Sequence, residues 1–458
     1  MGLTITKEII SKFDVPGPRY TSYPTAPEWS QAVTPAIYRT KLKDFEKTQK
    51  TLSLYVHIPF CEQLCYYCGC NVAIRPNDVK HGDEYLKFLF KEIDLIRDVI
   101  GKKREVRQLH WGGGTPTYLT EDQMSELFDK IAENFKIDFD GEVAIEVDPR
   151  TINASKLQIL RQLGFNRLSM GIQDFNPAVQ KTVNRIQDFK LVSEITQLLR
   201  ELKFHSINYD LIYGLPHQTR KSFEQTIDQT IALHPDRIAL YSFAYVPWLK
   251  KHQTKMPADT FPSNNEKLEI FLQAREQLIE AGYLSIAMDH FALQTDEMAK
   301  AFVEGKLYRN FMGYTVKPAD EYIGFGVSSI GFLENTYIQN HKTLPEYYKA
   351  LDQNELPIER GKVLSSDDEM RRWVISHLMC RLEIDKKQFT DRFHLNFDEY
   401  FTSEEIHIAN CLRDRLLYVD QDKLKASELG KIFIRNICMG FDQYLQKAKS
   451  QHRFSKTI

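Results

Sequence analysis

Six short runs rich in β-branched and aromatic residues punctuate the first half of the chain. They are TLSLYVHI (51–58), VRQLHW (106–111), EVAIEV (142–147), NRLSMGI (166–172), SINYDLI (206–212) and RIALYSFAY (237–245). Each ends at a Gly, Pro or Cys signal, as strands do. Between them the apolar positions recur at helical spacing. DEYLKFLFKEIDLIRDVI (83–100) stops at Gly101, and Thr120 followed by Glu121 and Asp122 suits a helix start, because a capping oxygen and early carboxylates satisfy the free N–H groups there. KLVSEITQLLREL, SFEQTIDQTIALH and KLEIFLQAREQLIEAG continue the style. Six strand-then-helix units in a row imply parallel strands with right-handed crossovers. Such a sheet could be doubly wound, or curl into a complete or partial barrel, and periodicity alone does not choose.

Past residue 283 the rhythm breaks. LSIAMDHF (284–291) reads as a strand and is followed by the Gly-rich YIGFGVSSIGF (322–332). From about residue 361 the pattern is mostly helical, with a strand-like LLYVD (416–420) that suggests a small hairpin. The first 50 residues show little periodicity but contain the dense polar-aromatic stretch GPRYTSYPT (17–25). The expected organisation is an N-terminal arm over 1–50, a barrel with an extension over 51–360, and a helical C-terminal domain over 361–458. No internal repeat or low-complexity tract is visible.

Length and charge narrow the class. At 458 residues the chain exceeds one ordinary core. Sixty Lys and Arg stand against 62 Asp and Glu, a net charge of -2, so a nucleic-acid surface is not expected. No apolar run reaches the length of a membrane span. Lys7 and Glu8 fall where a signal peptide needs apolar residues. Gly2 with Thr6 fits the loose myristoylation pattern, which is short enough to arise by chance. A cytoplasmic location is the expectation, and there thiols stay reduced.

Seven cysteines in such a compartment point to metal or redox chemistry rather than a disulfide framework. Four of them fall in HIPFCEQLCYYCGC (57–70). Cys61, Cys65 and Cys68 are spaced C-x3-C-x2-C, and Cys70 adds C-x-C. Structural zinc usually takes two knuckles separated by a longer loop. Here all the thiols share one loop, so a thiolate-bound iron–sulfur cluster fits best, with zinc still open. Three thiolates on a four-iron cluster leave one iron free for an exchangeable ligand. Cys380, Cys411 and Cys438 are widely spaced and read as ordinary buried thiols.

Other polar features gather where strands should end. HWGGGTPTYL (110–119) follows the second strand, and its glycines let backbone approach a ligand closely, although a tight turn explains them equally well. Glu146 and Asp148, Gln173, Asp210, and Ala244 with Tyr245 fall at successive strand ends. In parallel barrels the ligand site lies there.

CEQLCYYC resembles the signature of radical S-adenosylmethionine enzymes, and GGTP resembles that superfamily's motif for the methionyl amino group. That resemblance implies a partial six-stranded (β/α)6 TIM-like barrel and a [4Fe-4S] cluster. S-adenosylmethionine would chelate the open iron and be cleaved to methionine and a 5′-deoxyadenosyl radical. GPRYTSYPTA, LYVHIPFC, CYYCGCN, IEVDPR, GFNRLSMGIQDF, DLIYGLP and RNICMGFDQYL extend the likeness along the chain. They are similar to the oxygen-independent coproporphyrinogen III oxidases. The implied reaction converts two propionates of coproporphyrinogen III to the vinyls of protoporphyrinogen IX.

The same resemblance implies site residues. Cys61, Cys65 and Cys68 match the cluster ligands, and Cys70 matches a further cysteine that does not ligate the cluster when cofactor is bound. Tyr55, Gly113, Glu146, Ala244 and Ile330 match positions lining the cofactor on the iron. Tyr67, Gly114, Thr115, Gln173, Arg185 and Asp210 match a second S-adenosylmethionine site, although Arg185 and Asp210 could equally form an ion pair. The substrate carries four carboxylates, so Arg19 is the candidate cation, with Tyr20 and Tyr23 as candidate packing partners. An arm that only straps the domain is the competing reading. Expected partners are coproporphyrinogen III, an electron donor and an electron acceptor, with a monomer as the working state. Rival readings are a haem-binding chaperone of the same superfamily, a radical enzyme on another substrate, and a catalytically silent zinc protein.

Overall fold

The computed structural model describes residues 9, 12–101, 103–447 and 454–457. The readings at Gly2, Thr6, Lys7 and Glu8 lie outside them. Helix α1 (Pro35–Glu46) is capped by the Thr34 side chain and buries Tyr38, Leu42 and Phe45, one face at i, i+4 and i+7. The region expected to have little periodicity therefore carries a packed helix.

The six expected strands are present. They are β1 (Leu52–Ile58), β2 (Glu105–Gly113), β3 (Lys136–Val147), β4 (Arg167–Gln173), β5 (Ser206–Tyr213) and β6 (Arg237–Ser242). They alternate with α2 (Val79–Ile100), α3 (Glu121–Asn134), α4 (Ala154–Gln162), α5 (Phe189–Glu201), α6 (Arg220–Leu233) and α7 (Asn264–Glu280). All six pair in parallel and in chain order. The helices start where capping side chains permit. Thr120 and Gln123 form a reciprocal capping box on α3, and Asp188 accepts from Leu191 N on α5. On α2, Tyr85, Leu89, Ile93, Ile96 and Ile100 are buried at helical spacing. Each fully buried side chain of this kind is worth about 1.5–3 kcal/mol against exposure.

LSIAMDHF is a hairpin rather than one strand. β7 (Tyr283–Ile286) turns at Ala287, whose φ is 43°, and returns as β8 (His290–Leu293), antiparallel to both β7 and β6. A period-two pattern cannot distinguish one long strand from two short ones. The Gly-rich stretch forms β9 (Glu321–Phe325), a seventh parallel strand on the free side of β1, followed by antiparallel β10 (Ile330–Leu333), β11 (Thr336–Asn340) and β12 (Ile358–Val363). The result is one twelve-stranded sheet, β12-β11-β10-β9-β1-β2-β3-β4-β5-β6-β8-β7. Its centre is the partial (β/α)6 barrel.

A hairpin, Tyr308–Thr315, enters the open side of that barrel. Asn310 Nδ2 donates to Gln108 Oε1 of β2 (3.2 Å), and Val316 N donates to Glu142 Oε1 of β3 (3.2 Å). Behind it packs α8 (Ser366–Arg381). β12 runs across the expected boundary at residue 360. The expected C-terminal hairpin is a three-stranded sheet, because Glu383–Asp385 pairs with Lys423–Ala426 beside Leu417–Asp420.

The arm is held by the far end of the chain. Pro16 bridges Lys456, Gly17 N donates to Ser455 O (3.0 Å), and Thr457 N donates to Val15 O (2.9 Å). Arg435, on α9 (Ile434–Met439), donates to the carbonyls of Pro18 (2.9 Å), Gly17 and Thr457 (3.2 Å).

Candidate active site

The thiol loop leaves the C-terminal end of β1. Its backbone is fixed before any ligand is considered. Phe60–Cys61 pairs with Ala73–Ile74, Cys68 N donates to Cys65 O (3.1 Å), and Asn184 Nδ2 donates to Leu64 O (2.9 Å). Cys61, Cys65, Cys68 and Cys70 all line one cavity of about 180 Å3 at the C-terminal ends of β1 to β5. Gly113, Gly114, Thr115, Glu146, Tyr67, Gln173, Arg185 and Asp210 line the same cavity. Residues from Cys61 to Asp210, 149 positions apart in sequence, are thus brought together by the parallel register.

The four thiols differ in environment. Cys61 Sγ lies 3.3 Å from Thr115 Oγ1, and burial pushes its thiol up to about 11. Cys65 is buried, and two guanidinium groups aim at its sulfur: Arg150 Nη2 and Arg185 Nη1, each 3.7 Å away. The neighbouring Cys70 thiol pulls the Cys68 thiol down to about 6, and Cys68 in turn holds the Cys70 thiol up. Lys250 Nζ donates to Cys70 O (2.9 Å), and His252 Nε2 lies 2.8 Å from Cys68 O. Among the described residues no trio of His, Cys, Asp or Glu converges as one metal ion would require. A cubane presents three separate irons, so its ligands need no common point. Thiol donors on one loop, with cations beside them, fit that group.

The Gly run has a protein-packing role. Gly113 has φ +116°, and a Cβ there would meet the His57 ring at 2.6 Å. At Gly114 a Cβ would meet the backbone of Pro59 and Phe60 at 2.7 Å. This close approach lets Gly113 N donate to Glu146 Oε2 (3.2 Å). Glu146 also faces His110 Nε2 at 3.1 Å. Burial pushes the Glu146 carboxyl up, but His110 and the Gly113 N–H outweigh it, and the net shift is downward. It therefore faces the cavity as a carboxylate.

Beneath it, His57 Nε2 meets the Asn71 carbonyl (3.0 Å), which can only accept. Nδ1 is then the acceptor for the Tyr55 hydroxyl (3.0 Å). Tyr55 also stacks on His110. Tyr55, Ala244 and Ile330 do not line the cavity. Ile330 backbone lies against Gly324, the register partner of Tyr55, and Ala244 O accepts from Gln253 Nε2 (3.1 Å).

On the opposite wall, Arg185 pairs with Asp148 (2.8 Å) and donates to Gly171 O (2.7 Å). The alternative pairing with Asp210 is not formed. Asp210 instead accepts from Ser169 (2.9 Å) and Asn208 (2.9 Å), and burial followed by Glu146 raises it to about 6. Arg185 Nε is buried without a partner among the described residues. Gln173 closes β4 with φ 67°.

Arg19 reaches the rim, donating to Ser242 O (2.7 Å) at the end of β6 and lying over the Tyr241 ring. Tyr20 and Tyr23 are buried instead. Tyr20 Oη donates to Asp442 (3.0 Å), and Tyr23 Oη accepts from Gln443 N (3.3 Å). Sequence reasoning passed over Arg150, His57, His110, Lys250 and His252. The Lys-Lys-His run at 250–252 was a visible signal for a cationic loop, but nothing local placed it over the thiols.

Comparison with known proteins fits this geometry. The radical SAM superfamily model matches residues 55–230, and the HemN C-terminal domain model matches residues 364–433. A Synechocystis protein named oxygen-independent coproporphyrinogen III oxidase is 45% identical over 98% of this chain and 97% of its own length. The chain belongs to the oxygen-independent coproporphyrinogen III oxidase family. An Escherichia coli K12 protein of that name is 42% identical over 98% of both chains. A solved structure described as "Coproporphyrinogen III oxidase (HemN) from Escherichia coli is a Radical SAM enzyme" superposes with a TM-score of 0.91 at 40% identity, covering 97% of this chain and all of that one. The family likeness thus includes the arm, the barrel and the C-terminal domain.

Proposed function

We propose that this chain oxidatively decarboxylates two propionates of coproporphyrinogen III to vinyls without oxygen. The observation that carries this reading is the meeting of Cys61, Cys65 and Cys68 in one barrel-mouth cavity, in a chain similar to named oxidases from end to end. A haem-binding chaperone is not favoured, since the named relatives match along the arm as well. A propionate β-C–H has no acidity that a side chain could exploit. When bound, the [4Fe-4S] cluster and S-adenosylmethionine supply a carbon radical that removes a hydrogen atom instead. The propionate then loses one electron and carbon dioxide to become a vinyl, so each round needs an electron donor and an acceptor.

The chain's own residues do the rest by position and charge. Cys61, Cys65 and Cys68 would hold three irons and leave one open. Arg150 and Arg185 would donate to the Cys65 sulfur and offset the cluster's negative charge. The Glu146 carboxylate and the Tyr55–His57 pair would orient the cofactor on the open iron. Arg185 Nε and Asp210 would meet a second S-adenosylmethionine. Arg19 would meet a substrate carboxylate. The seven free thiols accord with a reducing, cytoplasmic setting.

The test is anaerobic reconstitution with reductant, S-adenosylmethionine, coproporphyrinogen III and a cell extract as acceptor source. Protoporphyrin and 5′-deoxyadenosine should appear, with two deoxyadenosines per porphyrin. Serine at Cys61, Cys65 or Cys68 should abolish iron binding, and Cys70→Ser should keep most of it. Deoxyadenosine without porphyrin would reject the substrate, and equal iron loss in all four variants would reject the three-ligand arrangement.

A further inference from the structure

A second cavity, about 720 Å3, lies where the barrel meets the C-terminal domain. It is four times the volume of the cavity at the thiols and falls within the usual range for small-molecule sites. One face of α8 forms its wall, since Arg372, Ser376 and Cys380, and beside them Trp373, His377 and Arg381, follow each other at four-residue spacing. Trp373 stacks on His377 with ring centres 3.7 Å apart. Arg372 lies 4.0 Å from the centre of the Phe332 ring and donates to Tyr308 Oη (3.2 Å).

The charges of this cavity do not cancel. Of its three carboxylates one is neutralised by a cation and two are held by neutral donors. Glu321 is bonded by Lys50 (2.7 Å), Asp320 by Thr51 N (2.7 Å), and Glu369 by Asn335 Nδ2 (2.7 Å). Arg372, Arg381 and Arg392 line the same space, and among the described residues none has a carboxylate within ion-pair distance. His377 sits between them, and burial with Arg381 and Arg392 nearby lowers it to about 4, so it is a neutral aromatic shelf at neutral pH. Four cations against three carboxylates leave the lining net positive by one, and the three guanidinium groups without an ion pair stand along an aromatic wall, an arrangement that suits a flat aromatic molecule with anionic groups at its edges. Arg372 and Arg381 are nine residues apart on one helix, about 13 Å at 1.5 Å per residue. That span suits carboxylates at opposite edges of a macrocycle and exceeds the reach of a single phosphate.

This cavity is remote from the thiols. Lys50, which lines it, precedes β1, and Cys61 follows β1. The strand puts roughly 20 Å between them. We propose that the cavity is a second, non-catalytic site for a carboxylated tetrapyrrole. The identity of that ligand rests on the function proposed above, whereas the site's preference for a flat polyanion does not. It would hold substrate or product on the chain while the barrel mouth is engaged.

The test uses coproporphyrin III, the stable oxidised and fluorescent form, titrated against the reconstituted full chain. Two equivalents should bind per chain. In Arg381→Glu/Arg392→Glu one equivalent should weaken at least about tenfold. The variant's melting curve should be unchanged, and its turnover at saturating substrate should stay within about twofold. Arg381→Lys/Arg392→Lys should retain both equivalents. Binding of one equivalent by the native chain, or of both by the Glu variant, would overturn the proposal. Loss of turnover together with all binding would make this the catalytic site and also overturn it. Displacement of the second equivalent by flavin mononucleotide at comparable affinity would assign the cavity to a nucleotide instead. If two-site binding persists but no protoporphyrin forms in either protein, the proposed activity fails and the cavity's assignment stands.

Discussion

Asp210 is held up by burial and by Glu146, and its titration falls near pH 6, inside the accessible range. Under the proposed function its cavity takes a cationic cofactor, whose sulfonium would favour the ionised carboxylate. Binding therefore releases the proton, and S-adenosylmethionine affinity should rise from pH 5.5 to pH 7 and then level. Asp210→Asn should bind more weakly above pH 7 and show no such slope. Calorimetric titration at three pH values checks this, and a slope that survives in the Asn variant would place its origin elsewhere. The residues that meet here differ in how visible they were. Glu146 and Gln173 fall at strand ends and the thiols just beyond one, and alternation along a strand marks those ends, whereas Asp210 lies inside β5, three residues short of its end. Arg150 and His110 carry no such mark. Each becomes part of the site through a partner far away in sequence, Cys65 for one and Glu146 for the other.

At the scale of elements, the α9 residue Arg435 ties the arm to the tail through at least three carbonyls. Burial and the neighbouring Arg19 lower its own titration to about 9, so it remains charged at neutral pH. Each buried carbonyl left without a donor costs on the order of 1–3 kcal/mol. Arg435→Ala should therefore loosen residues 14–20 without melting the barrel. Trypsin should cleave after Arg19 at least about tenfold faster, and KM for the porphyrinogen should rise more than kcat falls. Unchanged cleavage would show that α9 does not hold the arm. The barrel was legible because its strands and helices each keep one period and end on strong caps. β9 to β12 were not, because Gly324 and Gly326 interrupt any period and the partners of these strands are set by the free edge of β1. α1 was missed for a different reason: only Tyr38, Leu42 and Phe45 of its twelve residues are buried, and so short a face forms a helix only when something lies against it.

For the whole molecule, the twelve-stranded sheet and the C-terminal domain complete one another. Tyr314, on the hairpin that fills the barrel's open side, donates to Met379 O of α8 (3.1 Å), and Ser30 pairs with Gly361 across the edge of β12. A chain ending at residue 363 should leave that hairpin without its backing and fail to accumulate as soluble protein with a native near-ultraviolet dichroism spectrum. A folded barrel from that fragment would show that the two parts are independent. The pairing of residues 15–17 with 455–457 has a consequence for the order of assembly. During translation the thiol loop emerges early and the segment that secures the arm emerges among the last of these residues. The arm is therefore secured only after residues 455–457 have left the ribosome, long after the thiol loop has done so.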